Sequence, residues 1–168
     1  MIEFVLKNRL LENRLLRLHP DGVIYCRSHY RGEETKKETW YQVTFRKKEG
    51  YDVCQITVDG IQRQFFKHRL VKLAHDPTFD IFDASPNNCI DHINRTPADN
   101  SNENLRVVTN QQNQFNRSNT KGYTWREARK KWEAQIRVNG KDKYLGQFEK
   151  EEDARNAYLK AKAIYHII

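Results

Sequence analysis

The chain has 168 residues, of which 38% are hydrophobic and 31% are charged. This composition disfavours one large core and favours several small units laid along an extended partner. No stretch approaches the roughly 18 apolar residues of a membrane span, and the isolated Cys26, Cys54 and Cys89 argue against a disulfide framework or a structural zinc site.

The net charge is +8, which favours a polyanionic partner such as nucleic acid, although a generically basic soluble protein would have the same charge. The excess is concentrated in one segment. Residues 117–143 contain nine Lys or Arg against three Asp or Glu, whereas residues 144–168 contain four of each. A binding surface is therefore expected within 117–143.

The first twenty residues mix apolar and basic side chains. KNRLLENRLLRL has apolar pairs at a spacing near 3.6 and predicts a short amphipathic helix, although its tail could equally form a strand leading into a turn at 19–22. VIYCRSHY predicts a strand, and RGEETKKE predicts a polar loop.

Three further strands are expected before residue 68. Glu49-Gly50 and Asp59-Gly60 are good hairpin turns between them, and together they predict an antiparallel meander over 22–67. The strands are WYQVTFRKK, YDVCQITV and IQRQFF.

The middle of the chain predicts a helix, a loop and a β–β–α unit. HRLVKLAH is the helix, with Leu70, Val71 and Leu73 on its buried side, and 76–88 is the loop. The unit that follows has a strand at 89–93, a loop to 103, a strand at LRVVT and a helix at 110–118.

After a polar linker at SNTKGY, the pattern changes again. Three short strands with a turn at Asn139-Gly140 are expected, followed by a C-terminal helix. One face of this helix is predicted to contain Ala154, Ala157, Tyr158, Ala161 and Ile164. The expected class is α+β, with domains at 1–67, 68–118 and 119–168.

The β–β–α unit contains the candidate chemistry. Asp91 is a hard oxygen ligand suited to Mg²⁺ or Mn²⁺, and neutral His92 can take a proton from water. Asn104 can accept a hydrogen bond from the imidazole, and Asn113 can add an amide oxygen to the metal site. Asp91 and His92 point to opposite faces of a strand, so both reach one phosphate only if the strand ends or twists here.

The same residues also have a non-catalytic interpretation. An isolated Asp-His pair is common, a lone histidine is more often a surface or capping residue, and asparagines favour turns. Four other histidines have no comparable setting and are expected to be structural or exposed: His19, His29, His75 and His166.

The Asp-His, Asn and Asn positions, with NENLRVVT between them, resemble the HNH (ββα-metal) endonuclease motif of the phage and intron homing type. The resemblance covers roughly 50–117 and includes YDVCQITVDGIQRQFFKHRLV upstream. It implies that Asp91 and Asn113 hold one Mg²⁺ or Mn²⁺, that His92 is the general base and that Asn104 orients it. His68 matches the histidine of the family's HRLV segment and is taken as structural or, at most, a phosphate contact.

Residues 121–163 resemble the DNA-binding domain of plant ethylene-response factors (the Apetala-two type), a three-stranded sheet on one helix with the sheet in the major groove. Five basic residues and two tryptophans are candidate DNA contacts. For Trp125 and Trp132, packing under the helix is an equal alternative, and for Leu145 and Phe148 it is the favoured one. The DNA-contact candidates are Trp125, Arg126, Arg129, Lys131, Trp132, Arg137 and Lys143.

The N-terminal sheet carries basic residues that form either a second DNA contact, which is favoured, or a solvated face. They are Arg27, Arg31, Lys36, Lys37, Arg46, Lys47 and Lys48.

Together these resemblances imply a metal-dependent, site-directed homing endonuclease that cuts double-stranded DNA to a 5′-phosphate and a 3′-hydroxyl. The alternatives are a DNA-binding regulator with an inactive motif, or a restriction or defence nuclease. The chain lacks a signal-peptide pattern, so we expect a cytoplasmic location in a bacterial or phage-infected cell and no membrane partner. For the oligomeric state, the sequence is compatible with both a monomer and a homodimer.

Overall fold

The part of the chain that the structure describes contains antiparallel strands and three α-helices and has a mixed α+β fold. The computed structural model describes residues 1–6, 14–27, 39–58, 60–117 and 121–167. Two compact units divide the chain, Met1–Thr109 and Asn110–Ile168. The predicted fold class is therefore confirmed.

A four-stranded sheet begins the first unit, with strands in chain order. Phe4, Leu16 and Ile24 lie on its buried face, alternating with more exposed side chains. The helix predicted from KNRLLENRLLRL is wrong for 14–18, where the alternative strand is confirmed; residues 7–13 lie outside the described part. The strands are β1 (Ile2–Leu6), β2 (Arg14–Leu18), β3 (Ile24–Arg27) and β4 (Trp40–Gln42).

A tight turn joins β2 to β3 at the predicted position. The backbone N–H of Gly22 donates to the carbonyl of His19 at 2.9 Å, and Gly22 has φ +80°. That left-handed backbone explains why glycine is placed there. The predicted strand VIYCRSHY is confirmed over Ile24–Arg27, whereas 28–38, including the predicted loop RGEETKKE, lies outside the described residues.

A separate three-stranded sheet follows, made of β5 (Arg46–Lys48), β6 (Tyr51–Val58) and β7 (Ile61–Phe66). The single meander predicted over 22–67 is wrong, because WYQVTFRKK divides into β4, paired with β3, and β5, paired with β6. Between them the chain turns inward: Val43 is buried, and Phe45 packs against the core. This burial separates the two sheets.

The Glu49-Gly50 hairpin is confirmed, with φ of +52° and +86°. Positive φ at both turn residues is the type I′ geometry that matches the twist of paired strands. At the next turn, Gly60 has φ +73°, while Asp59 lies outside the described residues.

Helix α1 (Lys67–His75) packs the predicted residues Leu70, Val71 and Leu73 into the core of the first unit. Loop 76–88 then leads to a two-stranded sheet, β8 (Cys89–His92) with β9 (Leu105–Val108). A 3₁₀ turn at Asn102–Asn104 precedes β9. The predicted helix, loop and strands are thus confirmed.

Arg69 closes loop 76–88 from within α1. Its guanidinium donates to the backbone carbonyls of Asp80, Ile81, Asp83 and Asn88 at 2.9–3.3 Å. The Asn88 side-chain amide donates to the same Asp80 and Asp83 carbonyls, at 2.7 and 2.9 Å. These bonds satisfy backbone carbonyls of an irregular segment and fix the approach to β8.

The second unit begins with α2 (Asn110–Phe115) and continues into the predicted three-stranded sheet and helix. The turn at Asn139-Gly140 is confirmed by φ of +50° and +77°, whereas residues 118–120 of the predicted linker lie outside the described part. The elements are β10 (Tyr123–Arg126), β11 (Lys131–Val138), β12 (Lys141–Phe148) and α3 (Glu151–Tyr165).

The core of this unit lies between β11 and α3. Ala134 and Ile136 are buried from the sheet, and Ala154, Tyr158 and Ala161 from the helix. Of the other residues predicted to lie on this helix face, Ala157 is half-buried and Ile164 is 62% exposed. At the last turn of α3, the Lys143 ammonium lies 4.3 Å from the centre of the Tyr165 ring.

Gly122 packs directly on the Tyr158 ring, and a Cβ there would lie only 1.9 Å from a ring carbon. We predict that Gly122→Ala destabilises the second unit by about 1–3 kcal/mol through overpacking. Urea unfolding, with hydrogen exchange of the β11 and α3 amides, measures this loss. Lys121→Ala at the exposed neighbouring position is the control; equal stability of the two variants would contradict the packing argument.

Candidate active site and nucleic-acid interface

Asp91 and His92 occupy the last two positions of β8 and are buried, at 5% and 6% exposure. Asp91 lies opposite Arg106 and His92 opposite Leu105 on β9. Directly after His92 the chain turns: the Arg95 N–H donates to the His92 carbonyl at 2.9 Å, and Arg95 has φ +63°. The predicted end of the strand is therefore confirmed.

Asn104 closes the loop that joins β8 to β9. Its side-chain oxygen accepts the Asn94 backbone N–H at 2.9 Å, and its side-chain nitrogen donates to the Asp99 carbonyl at 2.8 Å. Its backbone carbonyl accepts the Ile93 N–H at 2.9 Å. The side chain is buried, so these bonds form where competition from water is weak. Asn104 therefore fixes the shape of 93–104.

The amide oxygen that the structure places beside the His92 ring is that of Asn100, 3.4 Å from Nε2. The predicted partner, the Asn104 oxygen, instead accepts the Asn94 backbone N–H. The Asn100 nitrogen donates to the Ala98 carbonyl, which agrees with its oxygen facing the imidazole. An amide oxygen only accepts; in the tautomer with the hydrogen on Nε2, the neutral imidazole donates to this oxygen and Nδ1 carries the lone pair.

Aromatic rings hold His92 on its other side. The His68 ring packs edge-on against it with centroids 5.2 Å apart, and the Tyr51 ring lies 6.1 Å away. Burial, with smaller effects from His92 and Arg69, lowers the pKa of His68 to about 3. His68 is therefore neutral at ordinary pH and adds no positive charge beside His92. Its structural role is that of a packing partner in α1.

Arg106 is a residue that the sequence interpretation missed. Its Nε and Nη2 donate to Asp91 Oδ2 at 2.9 and 2.7 Å, across the β8–β9 pair. The sequence did contain a signal for this pair, namely an arginine inside the otherwise apolar strand LRVVT. A charged side chain on a largely buried strand indicates that a carboxylate pairs with it.

The donor chemistry of the predicted metal ligands fits a hard cation. Asp91 offers a carboxylate and Asn113 an amide oxygen, and Mg²⁺ and Mn²⁺ prefer oxygen ligands. In the described ranges, no group of three or more His, Cys, Asp or Glu side chains is arranged to hold a metal. Asn113 is half-buried and lies on α2, in the second unit.

The β10–β12 sheet has one face toward α3 and one open face. Alternation along β11 places Ala134 and Ile136 toward the helix, and Glu133 and Arg137 on the open face. Arg126 lies opposite Lys131 and so shares the open face with it. Three predicted DNA contacts therefore share one surface: Arg126, Lys131 and Arg137.

Glu133 lies in the middle of this open face and pairs with two arginines. Its carboxylate is 2.8 Å from Arg126 Nη2 and 3.5 Å from Arg129 Nη1. These contacts, with Arg126 contributing most and Gln147 next, lower the pKa of Glu133. The ionised Glu133 thus holds the two arginines near each other before any partner binds.

Lys143 differs from the other four basic candidates. It lies opposite Ile136 and so faces α3, where its ammonium donates to the Tyr165 hydroxyl. A register shift at Ala134/Gln135, which leaves Leu145 out of the pairing, determines which β12 side chains face the helix. The sequence spacing alone could not show this shift.

Trp125 and Trp132 lie opposite each other with ring centroids 5.5 Å apart, on the same face as Ala134. Trp132 also contacts the Tyr123 ring, and Trp125 donates from Nε1 to Glu127 at 2.6 Å. Trp132 is half-buried and Trp125 is 39% exposed. The pair extends the aromatic packing beside the core, and Leu145 packs against that core.

The basic residues of the N-terminal region fall into two groups. Arg27 and the three residues of β5, 46–48, are exposed, with Lys47 paired to Asp52 at 2.8 Å. Arg31, Lys36 and Lys37 lie outside the described residues, as does His29.

A model of the HNH endonuclease family matches residues 84–115, which contain Asp91, His92, Asn104 and Asn113. The match supports an HNH nuclease domain and, with it, a nuclease that acts on DNA. No curated protein and no solved structure matched the chain. Within the described residues, no helix has the length and apolar character needed to cross a membrane.

His68 gives the first unit a specific acid sensitivity. The unfolded chain binds a proton at His68 near pH 6.5, whereas the folded chain does so only near pH 3. Between these values the unfolded state binds more protons, so stability falls as pH falls, by at most about 1.4 kcal/mol per pH unit.

We predict that His68→Phe reduces the decrease in the free energy of unfolding as pH falls. The reason is that phenylalanine can pack against Phe66 without binding a proton. Urea unfolding at a series of pH values from 7 to 4 tests the slope, with exposed His75→Gln as the control. An identical slope in the parent and His68→Phe would show that other groups cause the acid loss.

Proposed function

We propose that this protein is a metal-dependent, site-directed DNA endonuclease of the homing type. The observation that carries the proposal is the buried Asp91-His92 pair at the end of β8, inside the segment that matches the HNH endonuclease family. A buried carboxylate beside an oriented imidazole provides a ligand and a base at one place.

In the proposed reaction, His92 accepts a proton from the attacking water at Nδ1 while its Nε2–H faces Asn100. The water oxygen bonds to phosphorus, the bond from phosphorus to the 3′ oxygen breaks, and the 3′ oxygen takes a proton from solvent. The products are a 5′-phosphate and a 3′-hydroxyl. Asn104 acts on His92 through the loop, because its hydrogen bonds shape the segment that carries Asn100.

Asp91 and Asn113 would hold one Mg²⁺ or Mn²⁺, which when bound neutralises charge on the phosphate and on the leaving oxygen. Tyr51 and His68 restrict the His92 ring and cover it on one side. Restricting the ring before substrate binds reduces the entropy lost on reaching the reactive geometry.

We assign recognition of the target DNA sequence to the open face of the β10–β12 sheet, with double-stranded DNA as the partner. Arg126, Arg129 and Arg137 are at least 48% exposed in their side chains and can contact base edges or phosphates. The exposed Arg27 and β5 residues are proposed as additional phosphate contacts.

Removing the base tests the chemistry. We predict that His92→Ala lowers plasmid nicking about 10²–10⁴-fold, that EDTA abolishes cutting by the parent, and that DNA binding persists in both cases. Gel assays of nicking and fluorescence anisotropy of binding provide the two measurements, and His75→Ala is the matched control. Cutting by His92→Ala at the parent rate would refute this mechanism, while a parent that binds but never cuts would favour a DNA-binding regulator.

Removing arginines from the open face tests recognition. We predict that Arg126→Ala and Arg137→Ala each weaken binding to the target site by about 1–3 kcal/mol. Lys143→Ala should have a smaller effect, because its ammonium contacts Tyr165 on the opposite face. Competition binding against random DNA at fixed salt measures the differences. Unchanged affinity and specificity in both arginine variants would exclude this face from recognition.

A further inference from the structure

Arg106 and Asp91 form an end-on pair. The two residues lie directly opposite each other on β9 and β8, so their side chains share a face. Both contacts, from Nε at 2.9 Å and Nη2 at 2.7 Å, go to the same oxygen, Asp91 Oδ2.

The burial of this pair makes Arg106 important for Asp91. The Asp91 side chain is 6% exposed and the Arg106 side chain 28%. The planar guanidinium donates two hydrogen bonds in a fixed geometry, which restricts rotation of the buried carboxylate. Arg106 therefore controls the orientation of Asp91.

We propose that Arg106 is a positioning residue for the metal site, holding the Asp91 carboxylate by two hydrogen bonds in one orientation toward a divalent cation. The inference rests on the proposed function, because it requires Asp91 to be a ligand. Hydrogen-bond partners of ligating carboxylates change metal affinity by about 10–100-fold when they are removed. Arg106 is expected to act in that range.

A second arginine–carboxylate pair in the same unit provides a matched control. Arg17 lies opposite Glu3 on β2 and β1, and its Nε is 2.7 Å from Glu3 Oε1. The side chains are 31% and 47% exposed, so this pair has the same cross-strand geometry without the burial. A change at Arg17 should leave metal binding unaltered.

The test is Mn²⁺ binding by the full-length chain, followed by the electron paramagnetic resonance signal of free Mn²⁺, with and without short double-stranded DNA. Arg106→Gln should raise the Mn²⁺ dissociation constant by about 10–100-fold. Arg106→Lys should cause a smaller rise, since lysine keeps the charge but loses the planar pair of donors. Arg17→Gln should match the parent. Circular dichroism establishes the folded fraction, and the lysine variant retains a cation beside Asp91 if the glutamine variant unfolds.

Unchanged or tighter Mn²⁺ binding in the Arg106 variants would overturn the proposal. So would a loss of DNA affinity in EDTA with normal Mn²⁺ affinity, which would make Arg106 a phosphate contact. These outcomes differ from failure of the proposed function, in which the parent itself neither binds Mn²⁺ nor cuts DNA. A parent that binds and cuts, with unaltered Arg106 variants, would remove only the role of Arg106.

Discussion

The site depends on one register between two short strands, Cys89–His92 and Leu105–Val108. A slip of one residue would turn every side chain of one strand to the other face. Asp91 would then lose its position opposite Arg106, and its buried carboxylate would no longer pair with the Arg106 guanidinium. Asn104 opposes such a slip, since its oxygen binds Asn94 and its carbonyl binds Ile93. The asparagine-rich loop thus sets the alignment that the chemistry requires.

Helix α1 supports this strand pair through three consecutive residues. His68 packs against the His92 ring, Arg69 holds the loop that leads into β8, and Leu70 is fully buried in the core. Successive side chains on a helix point about 100° apart, so one short helix can reach three neighbours. The orientation of His92 is thereby tied to the hydrophobic core of the first unit, which explains how a four-residue strand can present a fixed imidazole.

Sequence reasoning succeeded where the structure is determined locally. The β–β–α order, the Glu49-Gly50 turn and the buried face of α1 follow from spacing and turn chemistry. It failed where long-range pairing decides: the division of WYQVTFRKK depends on burial of Val43, and Lys143 faces α3 because of a register shift at Ala134. Within the candidate site, sequence reasoning did not identify the partners Asn100 and Arg106. Partners across a loop or a strand pair require the register, which no single segment contains.

The closure of loop 76–88 has a practical consequence. Arg69 and Asn88 hold this loop through six hydrogen bonds to backbone carbonyls, all made by protein groups. The scaffold around β8 is therefore assembled by the chain itself and should survive dialysis against a chelator. Any change that a chelator causes in activity can then be separated from unfolding of the chain.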